Sequence, residues 1–262
     1  MKSMLRISLA LLSMMMLLSL TMPAQTNKVG KGISVTWYGH SAFKILTTKG
    51  KVILIDPWLD NPKAPSSARN IDRADLILVT HGHFDHMGNT VELAQKFDAT
   101  VVCNGDIAAY LTSKGVKKTV VLDYSGTYEV DNLKIIMVHA DHGSSIDNNG
   151  QRLAGGNAAG FVIQCENGVT LYDAGDTGLF GDMKLIAELY KPDIVMIPIG
   201  GVYTMGPKEA AKACELLNPK LIIPMHYGTF PALTGSPVDL KNFLPPQLKG
   251  RVADILPGDT VN

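Results

Sequence analysis

Hydrophobic and polar positions along the chain follow two patterns, one typical of short strands and one typical of helices. Residues 33–38 alternate with a period of two, whereas Val52–Ile55 and residues 76–79 are apolar throughout, as strands buried on both faces are. Helix-like segments occupy residues 89–97 and Pro207–Leu217, and the second begins with the proline that favours a first helical turn. This succession predicts an α/β chain.

Both halves of the chain show strands first and then strand–helix alternation. Further strands are predicted at 42–46, Thr100–Cys103, 119–122, Thr127–Val130, 133–138, 160–165, 169–172, 193–198 and 221–224, and further helices at 107–114 and 181–190. No linker rich in Pro, Gly or Ser divides the chain, so we expect one α/β domain with two mixed sheets covered by helices. Polar residues 139–160 are predicted to form a long loop that covers a site.

The first 24 residues have the pattern of a secretory signal peptide. Lys2 and Arg6 precede an uncharged apolar run over residues 7–20, which is too short to cross a bilayer comfortably, and Pro23-Ala24 follows. We therefore expect cleavage after Ala24, a mature domain over residues 25–262, export to the periplasm or the medium, and no stable membrane insertion after cleavage. An uncleaved membrane anchor is the alternative.

Composition excludes several classes of protein. The chain has 262 residues, of which 46% are hydrophobic and 18% charged, so a disordered chain is excluded. Its 24 Lys and Arg balance 24 Asp and Glu, which argues against a nucleic-acid binder. Three cysteines in apolar surroundings, Cys103, Cys165 and Cys214, do not form a disulfide framework and are expected to be buried.

A cluster of histidines directly after the apolar strand at 76–79 is the strongest chemical signal. Within six residues the chain places His81, His83, Asp85 and His86. Imidazole and carboxylate together suit zinc, and also manganese or iron. His81 and His83 can reach one metal ion, while Asp85 and His86 turn toward a second.

Two coordination spheres need more ligands than this cluster contains. Three further candidates, His142, Asp176 and His226, each come just after an apolar predicted strand. Loops at strand ends are where ligand sites are usually built, so we expect these side chains to meet the cluster.

The motif His-x-His-x-Asp-His, with His142, Asp176 and His226 downstream, resembles the metallo-β-lactamase superfamily. Gly39-His40-Ser-Ala-Phe, Ala174-Gly-Asp176-Thr and Pro224-Met-His226-Tyr-Gly-Thr-Phe-Pro are similar to its small metal-dependent hydrolases, a group related to ascorbate-6-phosphate lactonases. The resemblance covers nearly the whole mature chain. It implies a four-layer αβ/βα sandwich with a two-metal cleft at one edge.

The resemblance also implies a role for each candidate residue. The first metal would be held by His81, His83 and His142, the second by Asp85, His86 and His226, and both by Asp176. Asp173 departs from the pattern, because many relatives have histidine there.

Three other residues leave alternatives open. Asp56 is either a turn carboxylate or an acceptor that orients an imidazole. His40 either faces the cleft, as a proton donor or substrate contact, or is a packed histidine. His139 is expected to lie outside the metal shell.

These features predict a metal-dependent hydrolase that acts on a small molecule. Two divalent ions, with zinc the first choice and manganese or iron also compatible, would activate a hydroxide that cleaves an ester, lactone, amide or phosphoester bond. Asp85 is the predicted catalytic residue, since it can orient the nucleophile as well as bind metal. The alternatives are an iron-dependent oxidoreductase on the same fold, or a protein that only holds metal.

Overall fold

Two mixed β-sheets lie face to face, and helices cover the outer face of each. The computed structural model describes residues 32–262. The predicted signal peptide and the first residues of the predicted mature domain lie outside the described residues. Within the described part, the predicted four-layer α/β architecture with two mixed sheets is confirmed.

The first sheet is antiparallel at one end and parallel at the other. Its seven strands, numbered in chain order, are β1 (Ser34–Trp37), β2 (Phe43–Leu46), β3 (Val52–Ile55), β4 (Leu76–Leu78), β5 (Thr100–Cys103), β6 (Thr119–Val121) and β15 (Thr260–Val261). Their order is β15-β1-β2-β3-β4-β5-β6, and β3 to β6 run parallel. The carboxyl ends of β3 and β4 therefore lie at the same edge of the sheet.

The second sheet has six strands and the same mixture of directions. They are β7 (Thr127–Val130), β8 (Leu133–His139), β11 (Ala159–Gln164), β12 (Thr170–Asp173), β13 (Ile194–Pro198) and β14 (Leu221–Met225). The order is β14-β13-β12-β11-β8-β7, with β12, β13 and β14 parallel.

Helices follow the parallel strands, as crossover connections require. They are α1 (Phe84–Met87), α2 (Thr90–Phe97), α3 (Gly105–Ser113), α4 (Met183–Tyr190), α5 (Pro207–Leu217), α6 (Pro237–Phe243) and α7 (Pro246–Lys249), with a 3₁₀ helix at Ser66–Asn70. None of the helices in residues 32–262 is both long and apolar enough to span a membrane.

Apolar side chains form three layers of core. The central layer fills the space between the sheets and includes Phe43 and Phe161, each about 1% exposed or less. One outer layer packs α2 and α3 on the first sheet, and the other packs α4 to α7 on the second. Cys103, Cys165 and Cys214 are buried free thiols, as predicted.

Helices α1, α6 and α7 were not predicted, and neither were two features built from strands. Residues 139–160 are not a simple loop, because they contain a hairpin of β9 (Ser145–Asn148) and β10 (Gln151–Ala154). Asn149 and Gly150 form the tip of this hairpin. Their positive φ angles of 55° and 84° are those of the tight turn that an Asn-Gly dipeptide commonly makes. The C-terminal strand β15 pairs with β1 and is too short for any periodicity to reveal.

Candidate metal centre

The predicted ligands meet where the edges of the two sheets come together. His81 follows β4 in the first sheet, and Asp176 and His226 follow β12 and β14 in the second. Two backbone hydrogen bonds join the edges: the His226 N–H donates to the His40 carbonyl at 3.0 Å, and the Ala159 N–H donates to the Thr80 carbonyl at 3.0 Å. The sheets are thus connected on both sides of the cluster.

All seven predicted ligand residues lie in one cluster, and His40 joins them. Their donor atoms form a first donor group of His81, His83 and His142, and a second donor group of His40, Asp85, His86 and His226; within each group the atoms lie within 4.8 Å of one another. Asp176 combines with members of both groups.

Asp176 lies between the two groups. Its Oδ2 is 2.9 Å from His226 Nε2, 3.3 Å from His86 Nε2 and 3.6 Å from His142 Nε2. One carboxylate oxygen therefore faces imidazoles from both donor groups, which is the position expected of a shared ligand.

Several of these atoms are buried and have no hydrogen-bond partner anywhere in residues 32–262. They are His86 Nε2, His142 Nε2, both ring nitrogens of His226, and Asp176 Oδ1. A buried polar atom without a partner costs about 1–3 kcal/mol, so such a concentration needs an explanation. Converging imidazole nitrogens and carboxylate oxygens are the donor set that zinc, manganese and iron accept. The residues therefore fit divalent metal ions.

Asp56 orients two of the histidines. Its Oδ2 accepts hydrogen bonds from His86 Nδ1 and from the Thr80 hydroxyl, both at 2.6 Å. Because the Thr80 hydroxyl donates to Asp56, it can only accept from His81 Nδ1, 3.0 Å away. Both imidazoles are thereby protonated on Nδ1, which leaves Nε2 of each ring as the nitrogen that faces the cluster. Of the two roles considered for Asp56, the structure therefore shows the acceptor that orients an imidazole.

His40 has both ring nitrogens engaged. Nδ1 lies 3.0 Å from the Thr229 hydroxyl and Nε2 lies 3.0 Å from Asp85 Oδ2. The side chain is fully buried, and Trp58 and Phe230 contact the ring edge-on. A ring without a free lone pair does not suit metal binding, so His40 is placed to position Asp85.

The charges in the cluster stabilise one another. Burial raises the pKa of Asp85, but the hydrogen bond with His40 and the charges of His86 and His40 together outweigh burial and leave that pKa below its ordinary value. Burial lowers the pKa of His86, whereas the carboxylates of Asp176 and Asp56 raise it and prevail. Burial lowers the pKa of His40 to about 4, so its ring is neutral near pH 7.

Three residues of the site have a left-handed backbone. The φ angles are 51° at His40, 42° at Asp56 and 56° at His226. Each follows a strand of the fold, and each conformation costs about 1–2 kcal/mol for a residue other than glycine. Strain of this kind is maintained where surrounding contacts determine the backbone, as the hydrogen bonds to Asp56 and His40 do here.

Comparison with known proteins agrees with this geometry. A family model described as a beta-lactamase superfamily domain matches residues 34–226, which include all the residues of the cluster. A UPF0173 metal-dependent hydrolase from Koribacter versatilis is 49% identical over 215 residues, covering 82% of this chain and 92% of its own. The chain belongs to the metallo-β-lactamase superfamily.

Other members of the superfamily are similar over most of the chain. A UPF0173 metal-dependent hydrolase from Methanosarcina barkeri is 44% identical, covering 88% of this chain and 99% of its own. Among solved structures, the metallo hydrolase Igni18 from Ignicoccus hospitalis is 34% identical with a TM-score of 0.77, covering 87% of this chain and 97% of its own.

Two residues that the sequence singled out lie outside both donor groups. His139 is exposed, and its ring meets Tyr124 and Phe180 edge-on, consistent with the choice of His142. Asp173, which replaces the histidine expected from the superfamily resemblance, is fully buried. Its Oδ1 accepts the Gly175 N–H at 2.8 Å, and burial raises its pKa well above the ordinary value.

Sequence reasoning missed an aromatic wall beside the second donor group. Trp58 stacks on Phe230 with 5.8 Å between ring centroids and meets Phe84 edge-on at 5.5 Å. Trp58 and Phe230 are far apart in the sequence. Their only signal is position, since Trp58 follows Asp56-Pro57 and Phe230 lies within the His226 motif.

Proposed function

We propose that this protein is a hydrolase that uses two divalent metal ions, zinc as the first choice, to cleave an ester, lactone, amide or phosphoester bond in a small molecule. The observation that carries the proposal is the convergence of buried imidazole and carboxylate atoms that have no partner among residues 32–262. The relatives named metal-dependent hydrolases support the same reaction class.

We assign the ligands according to the two donor groups. His81, His83 and His142 would hold one ion, and Asp85, His86 and His226 the other, with Asp176 shared. Two such ions activate a water molecule for attack on a carbonyl or phosphoryl centre.

The protein's own side chains prepare this reaction. Asp56 and Thr80 fix the tautomers of His81 and His86, as their hydrogen bonds require. Asp85 is about 13% exposed and is the carboxylate of the second group that solvent reaches, so it can accept a proton from an attacking water. His40 holds Asp85 in place.

The test combines metal analysis with a substrate panel. Mass spectrometry of the purified protein should find about two divalent ions per chain, and a panel of esters, lactones and phosphodiesters should include at least one substrate that is hydrolysed and protected by chelation. Replacing His83 by Ala should remove activity and lower the metal content. Two irons per chain together with substrate-dependent consumption of dioxygen, without hydrolysis, would instead support the oxidoreductase alternative.

We also propose that the chain is exported. The support is the basic start, the uncharged run over residues 7–20 and the Pro23-Ala24 pair. Mass spectrometry of the protein from its native cells should find an N-terminus at Gln25 outside the cytoplasm. An intact N-terminus in the cytoplasmic fraction would contradict export.

A further inference from the structure

The β9–β10 hairpin forms one side of a cavity that opens beside a proposed metal ligand. The cavity has a volume of about 260 Å³ and is lined by His83, Phe84, Ser145, Asp147, Gly150 and Arg152. Because His83 belongs to the first donor group, a molecule in this cavity would be next to the reacting centre. The hairpin side chains are thus placed to select substrates.

The hairpin is fixed in position above the histidine motif. The Gly82 N–H donates to the Ser144 hydroxyl at 3.0 Å, and that hydroxyl donates to the Gly155 carbonyl at 2.7 Å. Ile146, 2% exposed, packs so closely that a Cβ on Gly82 would be 2.8 Å from its Cγ1. The backbone of the hairpin therefore has a defined position relative to His83.

Arg152 is the cation of this cavity, and it differs from the other described arginines. Arg69 pairs with Asp60 at 2.7 Å, Arg73 pairs with Asp75 at 2.8 Å, and Arg251 donates to the Pro219 carbonyl at 2.7 Å. Those are hydrogen bonds or ion pairs within the protein, whereas the Arg152 guanidinium makes none with any residue in 32–262.

The carboxylate nearest to Arg152 in the hairpin has another partner. Asp147 lies directly opposite Arg152 in the β9–β10 register. Its Oδ1 accepts the Gly150 N–H at 2.7 Å, which closes the turn. The five N–H donors of the guanidinium therefore remain available for a ligand.

An apolar surface borders the same cavity. Phe84 is 59% exposed although it is a large aromatic residue, and Trp58 supports it edge-on. The lining of the cavity thus combines the Arg152 cation with an exposed aromatic ring.

We propose that the substrate of the hydrolase carries an oxyanion, either a carboxylate or a phosphate monoester, which Arg152 binds while the apolar body of the substrate lies against Phe84. This inference names a substrate class for the proposed function and rests on it. The planar guanidinium of arginine can donate two parallel hydrogen bonds to either a carboxylate or a phosphate. The proposal therefore covers both oxyanions.

Paired probes of similar size test the proposal. The metal-loaded protein is assayed for acetate release from 4-acetoxybenzoate, from its neutral counterpart 4-acetoxybenzamide, and from 4-acetoxyphenyl phosphate. We expect at least one anionic ester to be preferred over the amide about tenfold in kcat/KM, which corresponds to a charge-assisted hydrogen bond of about 1.4 kcal/mol. The anionic ester with the higher kcat/KM shows whether the site prefers a carboxylate or a phosphate monoester.

Substitutions that remove a positive or a negative charge from the cavity distinguish a contact with Arg152 from the effect of the protein's overall charge. Arg152→Gln should reduce the preference to about one by lowering kcat/KM for the anionic esters, whereas Arg152→Lys should keep part of the preference. Asp147→Asn should increase it, because a repelling carboxylate is removed while the Gly150 hydrogen bond can remain. Arg69→Gln, which removes an equal charge from another surface, is the matched control and should change nothing.

Calorimetric titration makes the result independent of hydrolysis. The metal-loaded protein should bind 4-hydroxybenzoate or 4-hydroxyphenyl phosphate about tenfold more tightly than 4-hydroxybenzamide, and Arg152→Gln should abolish the difference. Absence of hydrolysis with this binding pattern intact would contradict the proposed ester chemistry and support Arg152. Equal binding of anions by the unaltered protein and by Arg152→Gln would overturn the role of Arg152.

Discussion

The two donor groups of the candidate metal centre are built differently. In the second, His40, His86 and His226 are at most 2% exposed, the His86 ring donates to Asp56, and the His40 ring is hydrogen-bonded with Thr229. In the first, His83 and His142 are only partly buried, and Thr80 is the support for His81. The second group is therefore held by the core of the protein, whereas the first lies at the opening of the cleft.

This difference suggests that the two groups have different roles. Buried ligands lose little freedom on binding a metal, so we expect the second group to bind its ion more tightly. Partly exposed ligands beside the Arg152 cavity leave room for a substrate to approach. Asp176 and Asp56 connect the groups, and substitutions at these positions test whether the roles differ.

The largest effect is expected at Asp176, because it faces both groups. Asp176→Asn should lower kcat/KM at least about 1,000-fold, a loss of about 4 kcal/mol, and lower the content of both metals. Steady-state kinetics and metal analysis measure the two losses. Asp182→Asn, an exposed aspartate nearby in the chain, is the control; loss of only one metal in Asp176→Asn would show that this carboxylate is not shared.

A smaller and asymmetric effect is expected at Asp56. Asp56→Asn removes the charge that orients His86 directly and His81 only through Thr80. Partners of metal-binding histidines typically contribute 10–100-fold in affinity, so the metal of the second group should weaken by about that factor and the other metal by less. Titration with a chelator as competitor measures both constants. Equal weakening of the two metals would remove the distinction between the groups, and Asp72→Asn serves as the exposed control.

A more limited effect is expected at Thr229, within the second group. Thr229→Val leaves His40 Nδ1 without its partner, at a cost of about 1 kcal/mol, so the position of Asp85 should be less well defined. We expect kcat to fall about fivefold with metal content unchanged. Thr234→Val is the matched control. A loss of metal instead of rate would identify His40 as a ligand.

The smallest effect is expected where the hairpin contacts the first group. Ser144→Ala removes the acceptor of the Gly82 N–H and the donor to Gly155. The free energy of unfolding should fall by about 1 kcal/mol and the metal of the first group should weaken slightly, with the second unchanged. Denaturant unfolding alongside Ser67→Ala checks the first value. Weakening of the second metal would contradict the separation of the groups.

Much of the fold could be predicted because its signals are local. Pro207–Leu217 and Thr100–Cys103 have the bounds that the hydrophobic pattern predicts, and the ligand candidates all follow apolar strands whose ends meet at one edge. The β9–β10 hairpin was missed because only Ile146 and Leu153 face the core, which leaves too little periodicity to read.

The supporting contacts of the site could not be predicted, since they join distant parts of the chain. The partner of His40 is Thr229, and the two are separated by 189 positions. Asp56 could be placed at the end of a strand, but its contact with His86 depends on how β3 and β4 are aligned. Residue types indicate a ligand set, whereas tautomers and positioning residues follow only from the packed structure.

Anomalous X-ray diffraction from crystals of the metal-loaded protein would locate the metal ions themselves. We expect two peaks within the cluster, one bound by His81, His83 and His142 and the other by Asp85, His86 and His226, with Asp176 contacting both. A single peak, or metal ions bound away from these residues, would contradict it.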